Sequence, residues 1–104
     1  LNTGHDGGWA TIHANGARDV PARLSALGAL AGMAEEAVAA QAASALDAVL
    51  HMRRSPRGHR WVSEVGVLTR ARGPLECALA LSATASGQVT THEAWASLAR
   101  KAGL

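Results

Sequence analysis

The chain has 104 residues, a formal charge of +2 at pH 7 and 48% hydrophobic residues, with three Trp, no Phe and no Tyr. This length predicts one domain with a thin, alanine-rich core, and so small a charge does not by itself indicate nucleic-acid binding. One cysteine excludes an internal disulfide, and no apolar run reaches the roughly 18 residues of a membrane-spanning helix, so we expect a cytosolic protein.

The first fifteen residues, LNTGHDGGWATIHAN, place two histidines on either side of a glycine pair. Residues 8–14 combine β-branched and aromatic side chains between turn signals, which predicts a short, largely buried strand that ends near His13. Ligands of open α/β sheets bind beyond the carboxyl ends of strands, so His13 is a candidate site residue. The chain begins at Leu1 rather than at a Met, and we therefore expect a piece of a longer protein.

Two helices are predicted next. The first begins at Asp19, carries Pro21 in its first turn, where the missing N–H costs little, and ends at Gly32. The second covers residues 34–45, and two glutamates in its first turn suit the positive end of the helix dipole.

Extended structure is predicted after these helices. Residues 47–68 favour a β-hairpin around a Ser-Pro-Arg-Gly turn, and its second arm has no clearly polar face, so we expect burial on both sides near its middle. Residues 69–74 are predicted to form a basic loop, residues 75–81 a last strand and residues 82–88 a linker.

The last predicted element is a helix. Thr90 with Glu93 three residues later is typical of a capping box, basic residues occupy the last turn, and Gly103 ends the helix. Trp95 on this helix is expected to be a core residue.

Arginines are concentrated around the hairpin turn and the loop that follows it: Arg53, Arg54, Arg57, Arg60, Arg70 and Arg72. Clusters of this kind are commonly solvated, and the alternative is contact with an anionic partner, either an adjoining subunit or acidic lipid headgroups. Direct DNA reading is not expected, because neither helix-turn-helix spacing nor an aromatic stacking platform accompanies the arginines in the sequence.

Metal binding is not predicted. The lone Cys77 and the scattered His51, His59 and His92 lack a recognisable ligand spacing. Cys77 lies in an apolar run and is expected to be a small buried hydrophobic residue.

Taken as one string, residues 3–24 follow the pattern TGHxGxxxTIHANxxxDxxxRL, and SALD and VSEV come later in the chain. This order resembles the secretion NTPases of type II and type IV systems, most closely the ATPases that power Flp-type, tight-adherence pilus assembly. The string is similar to that family's His box, here residues 3–15. The resemblance covers residues 1–68 and implies an α/β fold that is the C-terminal part of a RecA-like P-loop NTPase domain, followed by a tail, residues 69–104, with a candidate strand and an amphipathic helix.

The resemblance also implies roles for individual residues. His13 would contact the γ-phosphate of ATP, and His5 would couple the nucleotide state to a neighbouring domain. Arg23 and Arg18 would stabilise negative charge through their planar guanidinium groups, and Asn15 would contribute to nucleotide binding.

The chain departs from the family pattern because it has no GxxxxGK[ST] motif, its only lysine being Lys101, and no Walker B acidic residue precedes the His box. We therefore expect this chain alone neither to bind nor to hydrolyse ATP. For the parent protein the resemblance implies ATP and Mg²⁺ as cofactors, a homo-hexamer, inner-membrane secretion or pilus platform proteins as partners, no specific nucleic acid, and a cytoplasmic location at the inner face of the membrane.

Two other functions are compatible with the sequence. The missing phosphate loop is compatible with a non-enzymatic interaction module that binds a partner through the arginine hairpin or the Trp95 helix. A small basic nucleic-acid-binding domain would show an affinity that falls steeply with salt concentration.

Overall fold

Two helices, a four-stranded sheet and a third helix follow one another along the chain. The computed structural model describes residues 8–104, so His5 lies outside the described residues. The elements in order are a 3-10 helix (Ala17–Asp19), α1 (Val20–Leu30), α2 (Glu35–Ala45), β1 (Val49–Arg54), β2 (Arg60–Thr69), β3 (Glu76–Ala83), β4 (Val89–Thr91) and α3 (Trp95–Lys101). The α/β class and the first two helices are confirmed, with their ends within a few residues of those predicted.

The sheet is a meander in which each strand pairs antiparallel with the next, in the order β1-β2-β3-β4. β1 and β2 form the predicted hairpin, paired from Val49 opposite Gly66 to Arg54 opposite Arg60, with a register shift between His51 and Met52. The long β2 is paired on both sides, so it is the strand around which the rest of the sheet is arranged.

Apolar side chains cover both faces of this sheet. One cluster connects the sheet to the helices that precede it: Ala17, Ala42, Leu68, Cys77 and Leu79. A second cluster connects the sheet to α3 and its start: Val67, Ala80 and Ala94, with Leu98 packed against them. Because neighbouring residues of a strand point to opposite faces, Val67 lies in the second cluster and Leu68 in the first. Burial on both sides is therefore found, but at the end of the second hairpin arm, residues 66–68, and not near its middle, where Glu64 and Val65 are half-buried.

Beyond residue 68 the chain continues in the same sheet. β3 pairs with β2 and runs from Glu76 to Ala83, so it begins one residue after the predicted last strand and includes the first two residues of the predicted linker. β4, which no local pattern predicted, pairs with the other edge of β3. The segment 69–104 thus contributes two strands and α3.

The capping box predicted for the last helix is wrong. Thr90 belongs to β4, where its backbone pairs with β3, and Glu93 precedes the helix. The N-cap of α3 is Ala94, which makes no side-chain capping bond. The predicted end of the helix is right, since Gly103 follows it with a φ of +79°, a conformation that favours glycine.

The buried strand predicted over residues 8–14 is also wrong. These residues have no regular secondary structure, and the indole of Trp9 is 86% exposed. Strand propensity produces a strand only where a neighbouring backbone completes the hydrogen-bond ladder, and none of the four described strands pairs with this segment. His13 therefore does not lie at the carboxyl end of a strand.

Cys77 is buried, as predicted, and its thiol is expected to be unreactive. Burial, assisted by the negative charge of Glu64 and opposed by Arg18, raises the pKa of the Cys77 thiol to about 11. Because the thiolate is the nucleophile, the folded protein at pH 8 should react with a disulfide reagent ~100-fold more slowly than the unfolded chain. Absorbance during labelling, with and without denaturant, measures this ratio, and equal rates would contradict the burial.

The same pKa shift predicts a loss of stability in alkali. The unfolded chain loses the Cys77 proton at its ordinary pKa of 9.0, whereas the folded chain retains it to about 11. The unfolded state is therefore favoured progressively as the pH rises through that interval. Below the unfolded pKa the thiol is neutral in both states and has no effect on the pH dependence.

Candidate functional site

An open groove runs between residues 8–15, α1 and β1. Its volume is about 1610 Å³, and His13, Asn15 and Arg23 all line it. His13 and Asn15 come from the irregular segment before the 3-10 helix, whereas Arg23 projects from the first turns of α1. All three side chains are exposed, so they are accessible to a ligand in the groove.

A hydrogen bond ties the start of the 3-10 helix, directly after the irregular segment, to the sheet. The backbone N–H of Ala17 donates to Glu64 Oε1 at 2.9 Å, across 47 positions in sequence, and Ala17 itself is fully buried. A hydrogen bond to an ionised acceptor is stronger than a neutral one. Asn15 and His13 therefore lie just before a residue, Ala17, that is hydrogen-bonded to β2.

Glu64 belongs to a small polar network that the sequence did not reveal. His51 Nδ1 lies 3.8 Å from Glu64 Oε1 and 3.1 Å from Ser63 Oγ, and the Ser63 hydroxyl donates to the His51 carbonyl at 3.1 Å. His51 also lines the groove. A buried serine next to a glutamate inside an otherwise apolar strand was the available signal, because a polar group placed there needs a partner.

Arg18 lies apart from His13, Asn15 and Arg23. It lines a different concave surface, together with Arg70 and part of α2. Its Nη2 atom is 3.9 Å from Glu93 Oε1, with both side chains more than half exposed, so this ion pair is weak and screened by solvent. The structure thus brings together His13, Asn15 and Arg23 but separates Arg18 from them.

The groove offers groups of both charges. The Arg23 guanidinium, the His13 imidazole and the Asn15 amide are hydrogen-bond donors that suit anionic oxygens. Two carboxylates, Asp19 and Asp47, also line the groove. This arrangement is suited to a ligand that carries anionic groups together with neutral or cationic groups.

A second feature is the turn of the β1–β2 hairpin, which we call the arginine tip and define as residues 53–60. Its loop is held by hydrogen bonds from the Ser55 N–H to the His59 carbonyl at 2.8 Å and from the Gly58 N–H to the Ser55 carbonyl at 2.9 Å. The ring of His59, which belongs to the tip, is stacked on the ring of Trp61, which directly follows the tip. Two stacked rings therefore lie next to the arginines, an arrangement that was not expected from the sequence.

Neither a metal centre nor a membrane span is found in the described part of the chain. Within residues 8–104 no three His, Cys, Asp or Glu side chains lie close enough together to hold a metal ion. No helix in the same range is long and apolar enough to cross a bilayer.

Comparison with known proteins gives a family and two relatives. The sequence model of the type II/IV secretion system protein family matches residues 1–101, which extends well beyond residue 68, where the motif resemblance ended. Two proteins named as conjugal transfer proteins, from Mycobacterium tuberculosis strains CDC 1551 and H37Rv, are each 46% identical to the chain over 76 residues. The aligned part covers 73% of this chain and 22% of each relative. No solved structure is significantly similar to the chain.

Proposed function

The chain belongs to the type II/IV secretion system protein family, and we propose that it works as the His-box part of a motor ATPase that couples ATP hydrolysis to protein export or pilus assembly. The family match supports the secretion role, and the string TGHxGxxxTIHAN is the reason for proposing the tight-adherence pilus branch. The RecA-like character of the complete domain is part of this proposal.

Conjugal transfer is the second candidate function. The observation in its favour is that both relatives carry that name and are 46% identical to the aligned part of the chain. The two candidates share the same motor chemistry and differ in the cargo that the motor moves.

The groove residues fit one wall of a nucleotide site. His13, Asn15 and Arg23 are donors of the kind that phosphate oxygens accept, whereas no phosphate loop with its lysine is present in the 104 residues. Bound ATP with Mg²⁺ would supply the phosphoryl group and the metal charge. His13, Asn15 and Arg23 would form the wall of the nucleotide site that lies next to α1.

Each groove residue has a distinct role in this proposal. The imidazole of His13 donates a hydrogen bond towards the γ-phosphate, where negative charge develops during phosphoryl transfer. Arg23 offers a planar pair of N–H donors to the same charge, and Asn15 orients the nucleotide through its amide. Arg18 and His5 stay predictions, because Arg18 lines another surface and His5 lies outside the described residues.

The assembly and location of the parent protein are also proposals. By family resemblance we propose a homo-hexameric ring at the inner face of the cell membrane, docked on platform proteins of the secretion or pilus system. Sedimentation of the full-length protein with and without ATP tests the ring, and a monomer under both conditions would contradict it.

Replacement of His13 with Ala in the full-length protein tests the phosphate role. We expect ATP turnover to fall about tenfold or more, because a donor aimed at developing charge acts mainly on the rate of the chemical step. His59→Ala is the matched control, since His59 is also exposed and does not line the groove. Steady-state phosphate release measures both variants.

Two results would count against the proposal. Unchanged turnover in the His13 variant would remove this residue from the mechanism but leave the motor function standing. A parent sequence without a GxxxxGK[ST] motif would remove the ATPase function itself. The two failures are therefore distinguishable.

A further inference from the structure

The arginine tip concentrates positive charge that the described residues do not neutralise. Its eight residues include four arginines and no Asp or Glu, and all four arginines are exposed. No carboxylate of residues 8–104 lies within 4.0 Å of their guanidinium nitrogens, whereas Arg18 and Arg70 each have such a partner. Arg54 also lies directly across the hairpin from Arg60, and like charges in that position repel each other. An anion bound at the tip would relieve this repulsion.

A fixed pair of aromatic rings stands beside these charges. The His59 and Trp61 ring centroids are 5.9 Å apart, with 11° between the ring planes. The Trp61 Nε1–H donates to the Ala83 carbonyl at 3.0 Å, which anchors the indole to the end of β3. His59 is exposed, so the outer side of its ring is accessible to solvent. The indole is held in place before a ligand arrives, which lowers the entropy cost of binding.

Charge and ring stacking together are the two components of sites that bind single-stranded nucleic acids without sequence preference. Arginine suits such a site because its planar guanidinium pairs with phosphate through two N–H donors and also stacks on rings. We propose that the arginine tip binds single-stranded nucleic acid, with phosphates on the guanidinium groups and one base stacked on His59. This inference does not rest on the motor function proposed above.

The stacked rings favour a single strand over other polyanions. In a duplex the bases are stacked on one another, so their faces are not available to the His59 ring. A membrane surface would attract the arginines, but the Trp61 indole is held by its hydrogen bond to Ala83 and stacked against His59, so it is not free to insert between lipids. The ring pair therefore contributes to binding only with unpaired bases.

Fluorescence anisotropy with the full-length protein tests this inference. The probes are labelled oligo-dT and oligo-U of about 16 nucleotides, titrated between about 50 and 200 mM salt. We expect His59→Ala to weaken binding about fivefold or more, because removal of stacking on one base has an effect of that size. The double change Arg54→Gln with Arg57→Gln should flatten the logarithmic salt dependence by about 0.7 for each phosphate that the variant no longer neutralises.

The matched control is Arg100→Gln with Lys101→Gln, which removes the same charge from the last turn of α3. We expect this variant to leave both the affinity and the salt dependence close to those of the parent. Because every substituted side chain is exposed, circular dichroism spectra should coincide across the set. Binding of either oligonucleotide with this pattern of variants supports the inference.

Three outcomes would overturn the inference. The first is equal or tighter binding of a duplex of the same length. The second is an affinity that neither tip variant changes. The third is binding of vesicles rich in phosphatidylserine without binding of either oligonucleotide, which would assign the tip to a lipid surface instead.

Discussion

Replacement of Gly66 with Ala is expected to lower the free energy of unfolding by about 2–3 kcal/mol, the largest effect we predict for a single methyl group in this chain. A Cβ at position 66 would overlap Cys77 Sγ and would lie 3.3 Å from the backbone oxygen of Ala78. Cys77 is buried, and Gly66 lies at a register shift between β2 and β3. β2 cannot easily move away, because Gly66 is also paired with Val49 of β1.

A double-mutant cycle separates this overlap from other effects of the substitution. Cys77→Ala removes the sulfur that the new methyl group would meet, so Gly66→Ala combined with Cys77→Ala should be more stable than Gly66→Ala alone. Urea denaturation followed by circular dichroism gives the three differences. If the free energy of unfolding of Gly66→Ala lies within about 0.5 kcal/mol of that of the unsubstituted protein, Gly66 and Cys77 are not tightly packed.

Replacement of Gly28 with Ala is expected to destabilise the chain by about 1–2 kcal/mol, although Ala is the better helix former by roughly 1 kcal/mol. Gly28 lies within α1, and a Cβ there would overlap Val38 Cγ2 and lie 3.4 Å from Val38 Cβ. Val38 is a buried residue of α2, and its branched side chain has little rotamer freedom in a helix. Overpacking between the two helices should therefore outweigh the gain in propensity.

Two companion variants make the Gly28 result interpretable. Ala26→Gly, at an exposed position of the same helix, measures the propensity difference without a packing change. Gly28→Ala combined with Val38→Ala removes the overlapping atoms and should recover part of the stability that Gly28→Ala removes. If Gly28→Ala proved stabilising by the propensity amount, the close approach of α1 and α2 would be refuted.

Local signals were sufficient for most of the secondary structure. Pro21 in the first turn and the glutamates at the start of α2 predicted two helices, and the Ser-Pro-Arg-Gly turn predicted the hairpin. These features act through a few neighbouring residues, by restricting φ or by interacting with a helix end. Such effects operate in the chain before any tertiary contact forms, so they can be read from the sequence.

The errors occurred where a distant backbone decided the outcome. Residues 8–14 have strand propensity but no paired neighbour among the described strands, whereas Thr90 has a capping pattern but pairs with β3 instead. A hydrogen-bond ladder supplies several bonds at once, whereas a capping side chain supplies one. Strand pairing therefore overrides the local propensity for a strand or a cap, and the strand that pairs cannot be identified from the local sequence.

The candidate site was also determined in part by the sequence and in part by the tertiary structure. The sequence by itself determined which donors were available, His13, Asn15, Arg23 and Arg18, and through its motif string it indicated the secretion family. Only the tertiary structure decided that Arg23 shares a groove with His13 while Arg18 faces elsewhere, and that Glu64 holds the Ala17 backbone from 47 positions away. Motifs specify chemistry because side-chain types are local, but distances between groups depend on how the helices pack against the sheet.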